Sequence, residues 1–244
     1  GKRRFGPRNL EITPHGKVNA DPVFSQSQFC ARCHQFGEEG ILVNGKPLEN
    51  TLEEWKASRF PGEGKTCQSC HMPNNSHGFK GVHDRDMVRL GLKVKATKKD
   101  SDLTVSFNNA GAGHALPTYI TPRIRSVWKG DDDSRMLLAV LQRKMDWQPE
   151  TGWTELFDTR LMPDENRVLN LTLPTSTSGY IEVWVDPDAD YNNRVYPAIL
   201  DAMKDSSVPK SAIDQIEQAL MNSGQSGYLL YRLRCDAGVD DACQ

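Results

Sequence analysis

Long apolar runs are missing from this 244-residue chain: the longest, Met136 to Leu141, falls far short of the roughly 20 residues that a membrane-spanning helix requires. No transmembrane segment is expected. An excess of one charge is missing as well. With 30 Lys and Arg against 32 Asp and Glu, the formal charge is −2, which leaves no basic surplus to recruit nucleic acid. Lys2, Arg3, Arg4 and Arg8 read as a solvated terminal arm. There is no low-complexity tract and no Gly/Ser- or Pro-rich spacer. The chain starts at Gly1 without an apolar targeting segment, so a signal peptide or N-terminal anchor is expected to have been removed, or the chain to be a piece of a longer one. A composition of 37% hydrophobic and 25% charged residues suits one large domain or two small ones. Cysteine is scarce, at six residues, and its placement carries the chemistry.

Four of the six cysteines fall in two copies of Cys-x-x-Cys-His, namely Cys30-Ala31-Arg32-Cys33-His34 and Cys67-Gln68-Ser69-Cys70-His71. This is the attachment motif of c-type haem. Each thiol forms a thioether to a haem vinyl group, the two-residue spacer sets the distance between them, and the adjacent His reaches the iron. Two paired cysteines could instead build a tetrahedral zinc thiolate site, but the His after each pair argues against it. A redox dithiol normally opens a helix after a strand, and neither copy follows a β-rich run. Two covalent haems are therefore expected, on Cys30, Cys33, Cys67 and Cys70, with His34 and His71 at the irons. They bring apolar surface that the amino-acid count omits, and their propionates make the holoprotein more acidic than −2. Bacterial haem attachment takes place outside the cytoplasmic membrane, so a periplasmic or extracellular location is expected. Cys235 and Cys243, outside both motifs, are expected to close a small disulfide loop in that oxidising compartment.

Residues 1–91 are rich in Gly, Pro, His and Cys and poor in periodic patterning, which suits a dihaem cytochrome c domain with few helices, its core being haem. Thr51 with Glu54 offers a capping box ahead of Trp55, and Val82 to Leu90 can form a short helix. From Leu92 the texture changes. Leu92, Val94 and Ala96 alternate with polar residues, as do Leu103, Val105 and Phe107, and further runs at Ile120–Val127, Met136–Lys144, Leu169–Leu173 and Ile181–Val185 continue the period of two. Residues 92–244 are thus expected to form an antiparallel β-sandwich with a short helical C-terminal part, Tyr196–Lys204 and Ser211–Met221, before a last strand at Tyr228–Leu233. The fold class expected is α+β, with the two parts packed together.

The second axial position of each iron has four histidine candidates, of which two are expected to bind. His114 ranks first, because Asn109-Ala110-Gly111-Ala112-Gly113-His114-Ala115-Leu116-Pro117-Thr118 is a bend whose small residues would let it approach a flat macrocycle. His77 and His83 follow the second motif closely enough to fold over a haem face. His15, in a Pro-His-Gly turn, is fourth. Met72 adjoins His71 and could not easily reach the opposite face of the same haem. Asp158-Thr159-Arg160 and Asp186-Pro187-Asp188-Ala189-Asp190 match no complete oxygen-ligand set and read as strand-end and turn chemistry.

The run Cys67-Gln68-Ser69-Cys70-His71-Met72-Pro73 with downstream His77 and His83, together with Gly113-His114-Ala115-Leu116-Pro117-Thr118, resembles soluble bacterial multihaem c-type cytochromes. In several of these a haem-binding segment is followed by a β-sandwich. The resemblance spans about residues 13–122 and implies low-potential, bis-histidine haems that relay electrons, with His34 and His71 as proximal ligands. It also implies redox protein partners, other multihaem cytochromes among them. Many relatives carry four or more haems, whereas this chain has two motifs. A homo-oligomer in which a histidine serves a neighbouring subunit's haem is a further expectation. No catalytic residue is assigned under relay. The rival expectation is an enzyme acting on a small nitrogen or sulfur compound or peroxide at one open iron, yet there is no Cys-x-x-Cys-Lys variant of the kind found in pentahaem nitrite reductases.

Overall fold

The computed structural model describes residues 4–8, 18–37, 39–76, 78–204, 207–238 and 241–244. The chain divides into two compact units between Lys80 and Gly81, and the fold is α+β.

In the first unit the regular elements are short: β1 (Arg4–Gly6), β2 (Val18–Ala20), α1 (Ser27–His34), β3 (Leu42–Val43), β4 (Lys46–Pro47), α2 (Thr51–Ala57) and α3 (Cys67–His71). Val43, Leu52 and Phe60 are its only fully buried apolar side chains among the described residues. Polar side chains hold the helices instead. The N-cap of α2 is Asn50, with no side-chain cap bond of its own, one residue ahead of the cap expected at Thr51. Gln35, the residue after α1, does that work from a distance. Its Oε1 accepts from Glu53 N at 3.1 Å and its Nε2 donates to Asn50 Oδ1 at 3.0 Å, satisfying one of the amides that a helix start leaves unpaired.

The second unit opens with α4 (Arg85–Gly91), capped by Asp84, whose Oδ1 accepts from Met87 N at 2.8 Å. There follow β5 (Leu92–Lys99), β6 (Asp102–Asn109), β7 (Arg123–Gly130), β8 (Arg135–Leu141), β9 (Arg143–Gln148), β10 (Gly152–Asp158), β11 (Asn166–Thr172) and β12 (Gly179–Asp186). A π turn (Tyr191–Val195) leads into α5 (Tyr196–Met203) and α6 (Lys210–Gly224), and the chain ends in β13 (Tyr228–Cys235) and β14 (Asp241–Ala242). Two four-stranded antiparallel sheets result, ordered β11-β6-β5-β14 and β13-β12-β7-β8, and β9 pairs with β10 as a separate ribbon. Leu92, Leu103, Val105 and Phe107 of one sheet and Ile124, Trp128, Ile181, Val183 and Leu230 of the other belong to a single apolar cluster. The period-two alternation is what permits this, since every second side chain faces the core. Trp128, wholly buried, lies across Gly179, where a Cβ would sit 2.6 Å from the indole. The Cys235–Cys243 disulfide joins β13 of one sheet to the residue after β14 of the other, stapling the two layers at one edge.

Three expectations shift in register. The helix near residues 82–90 belongs to the second unit because Val88 enters its core, Arg89 donates to Leu230 O at 2.9 Å and Tyr228 Oη donates to Val82 O at 2.7 Å. Met136–Lys144 is two strands, β8 and β9, interrupted at Gln142, whose N–H and C=O both bond Thr159. Strand β10 has no counterpart in the sequence reading because its burial does not alternate.

Candidate haem-attachment site

Each Cys-x-x-Cys-His lies on a single short helix, so that the two thiols at i and i+3 and the imidazole at i+4 share one face. None of Cys30, Cys33, Cys67 and Cys70 is disulfide-bonded, while Cys235 and Cys243 are joined. The structure brings the two motifs together. Burial, followed by the neighbouring Cys67 thiol, pushes the Cys30 thiol up to about 11. Burial and then the charge of His71 hold His34 below its ordinary value, favouring the neutral imidazole that a metal requires.

The spacer residues of the second motif carry their own work. Thr66 caps α3 in a reciprocal box: Ser69 N donates to Thr66 Oγ1 at 3.2 Å and Thr66 N to Ser69 Oγ at 2.9 Å. Gln68 Nε2 donates to Phe24 O at 3.0 Å and Gln26 O at 2.8 Å, and Cys67 N donates to Ser27 Oγ at 3.2 Å. The second motif is therefore bolted to the segment that begins the first. Among the described residues no three His, Cys, Asp or Glu side chains gather as a metal cluster, so the four thiols do not form the shared tetrahedral set that structural zinc takes.

His71 is the best-defined imidazole of the unit. Its Nδ1 lies 2.6 Å from Lys80 O, and Lys80 N donates back to His71 O at 2.9 Å. A carbonyl only accepts, so Nδ1 bears the proton and the lone pair sits on Nε2, the tautomer of an iron-ligating histidine whose orientation is fixed by a backbone carbonyl. Phe79 stacks on the same ring, 5.0 Å between centroids and 2° from parallel.

The remaining histidines divide. His15 and His77 lie outside the described residues. His114 and His83 both belong to the second unit. His114 Nδ1 is 3.0 Å from Ala115 O, which by the same argument puts the lone pair on Nε2. Its loop is clamped by Asn109, fully buried, whose Nδ2 donates to His114 O at 2.9 Å and Leu161 O at 3.1 Å while its Oδ1 accepts from Ala112 N at 3.0 Å. The sequence reading named Asn109 without giving it a role; a polar residue ending an apolar strand was the available signal. The closeness that Gly111 permits is to the Leu90 carbonyl, which a Cβ would meet at 2.3 Å. His83 Nε2 lies 3.1 Å from Asp188 Oδ2. The acids of the 186–190 turn find separate partners: Asp186 pairs with Arg123 and Arg125, Asp190 with Arg194, and Asp188 hydrogen-bonds to His83. Asp158 and Arg160 likewise pair with each other at a strand end.

No protein-family model and no curated protein matches the chain. Among solved structures, its fold is similar to that in the crystal structure of a penta-heme cytochrome c552 from Thermochromatium tepidum, with a TM-score of 0.62 and 18% sequence identity over 95% of this chain and 67% of that one. At this identity the likeness is one of fold. No helix among the described residues is long and apolar enough to cross a membrane.

Proposed function

We propose that the chain is a dihaem c-type cytochrome that relays electrons between redox protein partners, in the periplasm or outside the cell. The observation that carries this is the pair of Cys-x-x-Cys-His helices, held side by side in a unit that buries only three apolar side chains of its own among the described residues. The residues fit the group: unbridged thiols at the required spacing, an imidazole already in the ligating tautomer, and a region short of core that two macrocycles would complete. The fold shared with a penta-heme cytochrome supports the same reading.

In this reading Cys30, Cys33, Cys67 and Cys70 anchor two haems by thioethers, and His34 and His71 are the proximal ligands. A bound haem supplies a one-electron iron couple whose potential depends on axial ligand, burial and hydrogen bonding. The Lys80 carbonyl orients the His71 ring. Of the candidates for the distal positions, the order is His114, His77, His83 and His15. His83 commits its Nε2 to Asp188. The two sheets act as a β-sandwich that carries docking surface.

Low-temperature EPR of the oxidised protein, with carbon monoxide added after reduction, tests this. Two low-spin signals and an optical spectrum unchanged by carbon monoxide are expected. A high-spin signal with carbon monoxide binding would replace relay by an enzyme with one open iron.

A further inference from the structure

The segment that follows α3 holds His71 from two directions, and only one of them, the Lys80 carbonyl, has been given a role. The segment closes on itself by an exchange of hydrogen bonds: Lys80 N donates to His71 O at 2.9 Å and His71 Nδ1 donates to Lys80 O at 2.6 Å. Between these ends the backbone turns at Pro73–Asn75, with Asn74 at a φ of 58°, and Gly78 N donates to Ser76 Oγ at 3.1 Å. This closure brings residue 79 beside the imidazole. Phe79 fills the place, its ring 5.0 Å from the imidazole centroid and 2° from parallel. Parallel rings at such a separation are offset-stacked, an attractive arrangement.

Phe79 is 62% exposed and stands outside the buried apolar set of the first unit. Core packing therefore does not account for a large apolar side chain here, whereas the ring contact does. The two contacts on His71 act along different directions. A hydrogen bond to Nδ1 lies in the plane of the imidazole and fixes where that edge points, but it resists a turn of the plane only weakly. A ring stacked on the face resists the turn directly, because rotation drives one side of the imidazole into it. Together they define the plane of His71 as well as its direction.

We propose that Phe79 is a positioning residue for the second attachment motif: it sets the angle at which the plane of His71 stands about the bond from Nε2 to the iron. The inference rests on the haem-attachment reading above and goes beyond it, since that reading needs only a histidine in the ligating tautomer. The groups that surround an axial histidine tune the iron through it. The angle of an imidazole plane governs how the iron orbitals of π symmetry split, so a histidine held at one angle gives one narrow low-spin signal, and a freed one gives a shifted and broader signal. Phe79 acts through His71 alone, and Lys80 keeps the tautomer whatever stands at position 79.

The test is low-temperature EPR of the oxidised holoprotein and of its Phe79→Ala, Phe79→Leu and Phe79→Tyr variants, with haem counted per chain as the pyridine complex. In Phe79→Ala the largest g value of one low-spin signal is expected to shift and its line to broaden, while the other signal stays and two haems remain. Phe79→Leu keeps apolar bulk without a ring face; it is expected to move the same signal, and it decides the matter if the alanine variant loses haem. Phe79→Tyr keeps the ring and restores the parent line. Unmoved signals in the alanine and leucine variants overturn the proposal, as does a tyrosine variant displaced as far as alanine. Loss of haem from both the alanine and leucine variants makes Phe79 a structural residue and overturns it too. A parent protein without low-spin haem would instead bring down the electron-relay reading and this inference with it, whereas two low-spin signals indifferent to Phe79 would bring down the inference alone.

Discussion

The two units solve the problem of holding a chain together in opposite ways. Residues 81–244 bury a continuous cluster that runs from Val88 through Phe107 and Trp128 to Leu230 and Cys235, whereas the described residues of 1–80 bury Val43, Leu52 and Phe60. Apolar burial stabilises by roughly 25 cal/mol per Å², and three side chains cannot offset the conformational entropy of a segment that long. The first unit relies on point contacts instead: Gln35 to the start of α2, Gln68 to the segment before α1, and Lys80 to His71. Under the proposed function a region built in this way is completed by its haems, whereas the second unit carries an apolar core of its own.

The comparison predicts where damage stays. The largest effect is expected for Cys67→Ser with Cys70→Ser, which leaves one attachment motif: the haem absorbance per chain halves and limited proteolysis cuts ahead of residue 81, while the second unit keeps its cooperative unfolding. Loss of that unfolding in step with the haem would break the contrast. Next comes Phe107→Ala, deep in the shared core of the two sheets, expected to cost about 3–5 kcal/mol in urea unfolding of the second unit and to leave the haem spectrum unchanged.

Opening the disulfide by Cys235→Ser with Cys243→Ser is a smaller change, since the loop it closes is short, and about 2–3 kcal/mol is expected, again confined to the second unit. The smallest effect concerns acid. Burial works against ionisation of Asp158, but the hydrogen bond and charge of Arg160 outweigh it and hold the carboxyl below its ordinary 3.8. The folded pKa lies below the unfolded one, so this contribution is complete above the unfolded value and is lost as pH falls through the folded one. The urea midpoint of the second unit should therefore drop as pH falls below 3.8, and less so in Asp158→Asn; an equal drop in both would remove Asp158 from the account.

Much of the second unit was legible in the sequence because a half-buried strand writes itself as alternation: β5, β6, β11 and β12 all coincide with apolar residues at every second position. Strand β10 was not legible, its Trp153, Leu156 and Phe157 being exposed side chains that follow no period. Capping was half legible. The box expected at Thr51–Glu54 sits one residue past the N-cap of its helix, Asn50, and the reciprocal box at Thr66–Ser69 had no place in the sequence reading. The start of the first of these helices is served by Gln35, sixteen positions from Thr51 in sequence, and no local pattern reports such a contact.

The sequence by itself carried the two Cys-x-x-Cys-His runs and the pairing of Cys235 with Cys243, because both are written in residue type and short spacing. It also determined the α+β class, since periodicity is a local record of burial. Tertiary structure decided the rest: that Cys30 meets Cys67, that Lys80 sets the tautomer of His71 and that Asn109 clamps the His114 loop. Each of these joins residues distant along the chain, and their meeting depends on strand register and loop closure, which no single segment encodes.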